Sequence, residues 1–300
     1  MGPFGCWVNA LEDAPGHRPN YRDGVSDFAP WGTADAAAHI RVPEASDDKY
    51  SRGVLGVITG SDMYPGAAVL GVGAALHTGV GMVRYLGGER VSTFVLQRRP
   101  EAVTADGRVQ AWLIGSGTDA TQQEPHAVAA ADKAILQDVP IVLDGGALER
   151  VHDVTGPTII TPHHGELARV LGVERSEIAD DPGSWARRAA EELGVTVLLK
   201  GHHTTVVGPG IDLVVSGAPA WLATAGAGDA LGGILGALVA SHADGIAADE
   251  RELARLGATA SFIHGRAAER ASQGGPFTIT DLIEAVPAVV AEILAGRRSA

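Results

Sequence analysis

The feature that most constrains this chain is an alternation that sets in at residue 54. Short runs rich in Val, Ile and Leu take turns with segments of helical length. VLGVIT (54–59), VQAWLIG (109–115), PIVLDGG (140–146), TIITP (158–162) and VTVLLKG (195–201) read as buried strands. Helices are expected at Gly66–His77, over 122–137, in GELARVLG (165–172) and over 184–193. TTVVGPGIDLVVSG (204–217) reads as a hairpin around Pro209-Gly210. The segments 229–241, 250–271 and 280–296 read as helices, with no internal repeat. Near-continuous apolar strands between helices predict an α/β fold, a mostly parallel central sheet covered by helices on both faces. Residues 1–45 are expected as an irregular arm with a helical hint at Thr33–His39, and residues 46–300 as one domain.

In such sheets ligands sit at the carboxyl ends of the strands. The glycine and polar clusters all fall there. They are GSDMYPGAA (60–68), GSGTD (115–119), DGGAL (144–148), TPHHGE (161–166), KGHHTT (200–205) and TAGAGD (224–229). Six loops on one rim predict a single wide site.

Bulk numbers narrow the chemistry. Hydrophobic residues make up 45% and charged residues 20% of the chain, an ordinary globular composition. A net charge of −13 argues against nonspecific nucleic-acid binding. The single cysteine, Cys6, excludes an internal disulfide framework and argues against a cysteine metal cluster. No apolar run reaches membrane-spanning length, and the first residues lack the pattern of a secretory signal. A cytoplasmic enzyme is the expectation.

The loop Ala225-Gly226-Ala227-Gly228 exposes backbone N–H groups, and the helix behind it adds the positive end of its dipole. That is a socket for a phosphate or a developing oxyanion. Asp229, in the first helical turn, is placed to take a proton from an attacking hydroxyl. The competing reading makes Asp229 a helix N-cap. Gly232, Gly233 and Gly236 each weaken a helix by ~1 kcal/mol relative to Ala, which points to close backbone packing.

No GxxxxGK[ST] occurs, and GVGAALHTGVG (71–81) lacks the third glycine of a dinucleotide fingerprint. His163 and His164 with Glu166, and His202 with His203, invite a metal reading. Adjacent histidines on a strand point to opposite sides, however, so a hydrogen-bonding histidine at a strand end is favoured. Lys200 closes a buried strand, where it either snorkels to the rim or meets an anionic ligand.

With these residues in place, the chain resembles the ribokinase-like superfamily. Within it, the chain is similar to the ADP/ATP-dependent NAD(P)H-hydrate dehydratases, the carboxy-terminal half of two-activity nicotinamide-repair proteins. KYSRGVLGVITGSDMYPGAAVL, LIGSGTD, TPHHGELARVLG, LLKGHHTTV and ATAGAGDALGGILGAL carry the resemblance in family order, over roughly residues 40–295. A generic sugar kinase would share only the last.

The resemblance implies a reaction. The ring hydroxyl of the (S)-hydrate of NADH or NADPH is phosphorylated by ADP or ATP, and phosphate then eliminates. It implies Asp229 as the base and the N–H groups of Ala225–Gly228 as the anion hole. It implies that Ala67, Gly117 and His163 line the hydrate pocket with Asp229. Lys200, Gly201, His202, His203, Thr204 and Gly228 would hold the adenine nucleotide. Mg²⁺ is implied without named ligands, and ADP is the expected donor. A homotetramer and a separate epimerase chain follow from the same resemblance. The small charge of segments 66–86 and 229–241 leans the same way, although both can bury against their own sheet.

One departure stands out. The family reads D-A-D-A-L where this chain reads Asp144-Gly145-Gly146-Ala147-Leu148, so the second acid is missing. Two other readings compete. One is a small-molecule kinase of the same fold acting on a sugar or vitamin-precursor alcohol. The other is a non-catalytic nucleotide sensor, which Asp229 and its neighbouring glycines weigh against.

Overall fold

A computed structural model describes residues 25–118 and 125–297. Its strands are β1 (Ala29–Pro30), β2 (Val54–Ile58), β3 (Met82–Tyr85), β4 (Ala111–Ile114), β5 (Ile141–Leu143), β6 (Thr158–Ile160), β7 (Thr196–Leu199), β8 (Thr204–Gly208) and β9 (Ile211–Val215). They form one sheet in the order β1-β9-β8-β7-β6-β5-β4-β2-β3. Pairing is parallel from β3 across to β7 and antiparallel at β7–β8 and β8–β9. The hairpin turns at Pro209-Gly210, where Gly210 adopts φ 64°. The expected α/β fold with a mostly parallel, doubly covered sheet is the fold observed.

Two apolar cores flank the sheet. On one face lie α1 (Thr33–Ala38), α2 (Pro65–Thr78), α3 (Glu89–Arg98), α8 (Ala227–Ser241), α10 (Glu252–Ser272) and α11 (Ile279–Arg297). On the other lie α4 (Pro125–Ile135), α5 (His164–Leu171), α6 (Arg175–Asp180) and α7 (Pro182–Leu193). The short α9 (Ala243–Ala248) follows α8. Strands β2, β4, β5 and β6 are buried at every position, as their predominantly apolar runs require. Among the described residues no helix is long and apolar enough to cross a membrane.

α8 explains its own glycines. Every residue from Ala230 to Ala240 is buried, so the helix is apolar all round. A Cβ at Gly233 would collide with the carbonyl oxygen of Gly71 on α2, and one at Gly236 would fall 3.0 Å from Leu55 on β2. The helix sacrifices propensity for a backbone approach that larger side chains forbid.

Several expectations need correcting. The apolar segment 66–86 is not one helix. α2 ends at Thr78 because Gly79 takes the left-handed conformation (φ 102°), and Met82–Tyr85 becomes the edge strand β3. The apolar surface of α8 is consumed within the chain, so it offers nothing to a second subunit. PIVLDGG holds a strand only over Ile141–Leu143, after which Gly145–Arg150 form a tight 3₁₀ turn. The sequence reading had no element at α3, α6 or α9. Of the expected arm, β1 pairs with β9, and Val25, Phe28, Ala36, Ala37 and Ile40 are buried. Residues 1–24 and the start of the helix expected over 122–137 lie outside the described residues.

Candidate active site

The loops after β2, β4, β5, β6 and β7 meet the N-terminus of α8, as the sequence reading expected. At the centre is Asp144, which ends β5 and is 4% exposed. Its Oδ2 accepts from Ser116 Oγ at 2.9 Å, and its Oδ1 accepts from Thr161 Oγ1 at 2.8 Å and from Lys200 Nζ at 2.9 Å. Burial alone would favour the neutral acid, but the Lys200 ammonium and the three donors hold the carboxyl below its ordinary range.

Lys200 ends β7 and does not simply snorkel to water. Its Nζ also lies 3.7 Å from Glu166 Oε2. Burial opposes its charge, yet Asp144, Glu166 and Asp229 around it hold it above the ordinary lysine range. A Cβ at Gly228 would fall 3.4 Å from the same ammonium, so the lysine reaches the mouth of α8.

Asp229 is not a cap. The N-cap of α8 is Gly226, in the left-handed conformation at φ 92°, and Asp229 sits in the first turn. There the dipole favours its charge, but burial and the neighbouring Asp144 outweigh Lys200 and push the carboxyl up to about 6. Two carboxylates on one rim thus carry opposite shifts, and that separation is how a site divides acid from base duties. Of the amides expected as an anion hole, Ala227 N–H already donates to Thr224 O at 3.3 Å, while that of Gly228 lies in the open first turn, followed there by the Asp229 amide, which the expectation did not include.

Ala67 and Gly117, expected to line one pocket, are in contact. Gly117 takes φ 64°, and a Cβ there would collide with that of Ala67. His163 is the N-cap of α5. Its Nδ1 accepts from Gly165 N at 3.0 Å and Glu166 N at 3.2 Å, and Glu166 Oε2 accepts from His163 N at 2.8 Å. In the neutral ring the proton therefore sits on Nε2. The favoured hydrogen-bonding reading of this histidine fits that geometry.

Lys200, Gly201, His202, Thr204, Ala227 and Gly228 line a cavity of about 380 Å³ that extends to Leu231, Ser261 and His264. His203 stands outside that wall, its ring edge-on to His202 at 4.6 Å and its Nδ1 2.9 Å from Ser216 Oγ. Among the described residues no group of three His, Cys, Asp or Glu side chains is arranged to hold a metal. The missing acid at Gly146 has a steric counterpart, since a Cβ there would fall 2.5 Å from Thr118 O and 2.7 Å from its Oγ1.

The sequence reading missed Ser116, Thr161, Glu166 and His264 as parts of the site, and met Asp144 only as a motif position. For Asp144 the signal was present. Like Lys200, it is a charged residue closing a buried strand.

The NAD(P)H-hydrate dehydratase family model matches residues 55–287. The bifunctional NAD(P)H-hydrate repair enzyme Nnr of Mycobacterium leprae is 41% identical over 267 residues, covering 84% of this chain and 53% of that protein. The chain thus spans about half the length of that relative. The ADP/ATP-dependent NAD(P)H-hydrate dehydratase of Bacillus subtilis, co-crystallised with ATP/Mg²⁺, superposes with a TM-score of 0.78 at 26% identity, covering 89% of this chain and 99% of that one. A ribokinase-like superfamily protein of Enterococcus faecalis has the same fold, with a TM-score of 0.78 at 21% identity over 92% of this chain and 99% of that one. The matched span holds every loop of the rim just described, and the chain belongs to the NAD(P)H-hydrate dehydratase family.

Proposed function

We propose that this chain dehydrates the S-epimer of hydrated NADH or NADPH back to NAD(P)H, driven by ADP, which yields AMP and phosphate through a phosphorylated intermediate. The observation that carries the reading is Asp229. It is a carboxyl raised to about 6, in the first turn of α8, beside a cavity of nucleotide dimensions. A base with that affinity is largely ionised at neutral pH and still takes a proton readily.

Asp229 accepts the proton of the ring hydroxyl as its oxygen attacks the terminal phosphorus of ADP. The bond to AMP breaks, and the amides of Gly228 and Asp229 with Lys200 meet the charge of the transferring group. The ring carbon–oxygen bond then breaks, phosphate leaves with its electron pair, and a neighbouring ring carbon gives up a proton to solvent as the ring double bond forms. Ala67, Gly117 and the Nε2–H of His163 are assigned to the hydrate, and Lys200, Gly201, His202, His203, Thr204 and Gly228 to the adenine nucleotide. Ala225, Gly226 and Ala227 shape the anion hole, the last with its own N–H already engaged.

Mg²⁺ belongs to this proposal as part of the nucleotide, where it would neutralise phosphate charge. The donor set fits that role and no larger one. Lys200 already bridges Asp144 and Glu166, so the protein offers one or two carboxylates to an ion that phosphates bring. A homotetramer and an epimerase partner rest on the family resemblance, and action in the cytoplasm rests on the sequence reading. Light scattering tests the first. A mass near the 30.8 kDa of one chain, unchanged on tenfold concentration, overturns it.

Mixing hydrated cofactor with ADP or ATP and following the reduced-nicotinamide absorbance tests the activity. Recovery of the band with ADP is the expected result. AMP release without recovery would instead support a kinase that keeps its phosphorylated product.

A further inference from the structure

His264 lies on α10, one turn beyond Ser261, and both residues line the 380 Å³ cavity with Lys200 and Thr204. The histidine is 6% exposed, and its Nε2 is buried with no hydrogen-bond partner. Buried polar atoms in native proteins are nearly always paired, because an unpaired one forfeits its hydration for nothing. The same cavity is lined by Ala218, Pro219, Ala220, Leu222, Ala223 and Leu231, an apolar surface suited to a flat ring.

Charge state fixes what Nε2 can bind. Burial pushes the ring down to about 4, a backbone hydrogen bond with Ala227 acts the other way, and the Lys200 ammonium adds to the depression. The ring is neutral at neutral pH. With one ring N–H given to Ala227 at the mouth of α8, the unpartnered Nε2 carries the lone pair. A lone pair repels phosphate oxygens and requires an O–H or N–H donor. The adenosine half of a nucleotide has such donors, the ribose hydroxyls and the purine amino group.

We propose that His264 recognises the adenosine moiety of the bound nucleotide, its Nε2 accepting a hydrogen bond from a ribose hydroxyl or from the purine amino group. The inference rests on the nucleotide reading above and adds to it a discriminating residue on a helix that the rim motifs do not include.

Calorimetric titration of the full chain with ADP, 2′-deoxy-ADP, 3′-deoxy-ADP and the diphosphate of purine riboside, which lacks the amino group, tests it. His264→Phe is expected to weaken ADP binding about five- to tenfold, the worth of one neutral hydrogen bond. One of the three analogues should bind the wild-type chain more weakly by a similar factor, yet bind His264→Phe as tightly as ADP does. That analogue names the donor. If His264→Phe does not fold, His264→Leu, which also lacks an acceptor, takes its place in the same comparison. The inference is overturned if the variant weakens all four nucleotides equally, or if all three analogues match ADP on the wild-type chain. Failure of the wild-type chain to bind ADP at all would overturn the nucleotide reading itself, a distinct result.

Discussion

The two ends of the sheet hold cavities of opposite character. At the amino ends of β6 and β7 a cavity of about 740 Å³ opens between α7 and α9, against about 380 Å³ at the carboxyl ends. The larger one is walled mainly by residues such as Pro157, Ala190, Val195, Ala247 and Leu253. Its arginine, Arg187, is already bound to Asp27 and Asp212, both at 2.7 Å. The C-termini of α7 and α9 and the N-terminus of α10 all meet it, so helix dipoles give it no one-sided preference for anions. At the smaller cavity a helix N-terminus, a buried ion pair and a carboxyl shifted up to about 6 converge. The larger volume lies away from the candidate site. Charges held against their solvation preference mark that site instead.

That contrast breaks most sharply at Asp229. Asp229→Asn is expected to lower turnover by about 10²–10⁴-fold while ADP still binds, measured by steady-state rates and calorimetry. Retained turnover would mean that the shifted carboxyl is incidental. The same variant has a stability signature. A carboxyl whose folded pKa is raised contributes stability that is fully present below its ordinary 3.8 and lost as pH rises through about 6. Asp229→Asn should therefore melt higher than the parent above about pH 7, with the gain fading under acid. In the parent, turnover should climb with pH through about 6.

The next effect belongs to the buried pair. Lys200→Ala strands Asp144 without its cation and should cost about 3 kcal/mol by denaturant unfolding, besides weakening nucleotide binding. Asp144→Asn should sharpen the picture through its pH profile. Removing the Asp144 charge removes one of the forces raising Asp229, so the acid limb of turnover should move to lower pH. An unmoved limb would show that burial alone sets Asp229. The Asp144 carboxyl also ties stability to pH in the opposite sense. Its depressed pKa contributes stability present above 3.8 and lost as pH falls through the folded value.

The smallest effect is expected at the other end. Glu191→Gln with Glu250→Gln, both lining the larger cavity, should leave turnover within about twofold of the parent. A tenfold loss in that assay would erase the distinction between the two rims.

Much of this was legible before any coordinates. Apolar runs marked β2 and β4 through β7, because a strand buried on both faces has no polar positions to hide. Glycine clusters at the ends of those runs marked the rim, and GAGD marked the mouth of α8. Met82–Tyr85 was not legible. Its MVRY looks like a continuation of the helix before it until Gly79 turns the chain. Glu166 was visible as a neighbour of two histidines, but its approach to Lys200 spans 34 positions of sequence, and no local pattern encodes it. His264 lines the cavity from α10, a helix whose spacing resembles any amphipathic helix.

The sequence by itself determined the strand–helix alternation, the rim and the place of Asp229 at a helix mouth, because hydrophobic periodicity, glycine conformation and helix polarity are local properties. Only the tertiary structure decided which charges meet. It placed Asp144 under three donors, set Lys200 between two carboxylates, and left the His264 Nε2 without a partner. Those outcomes depend on burial and on distances across separate strands. The free energy of a charge is set by everything around it, most of which is remote in the chain.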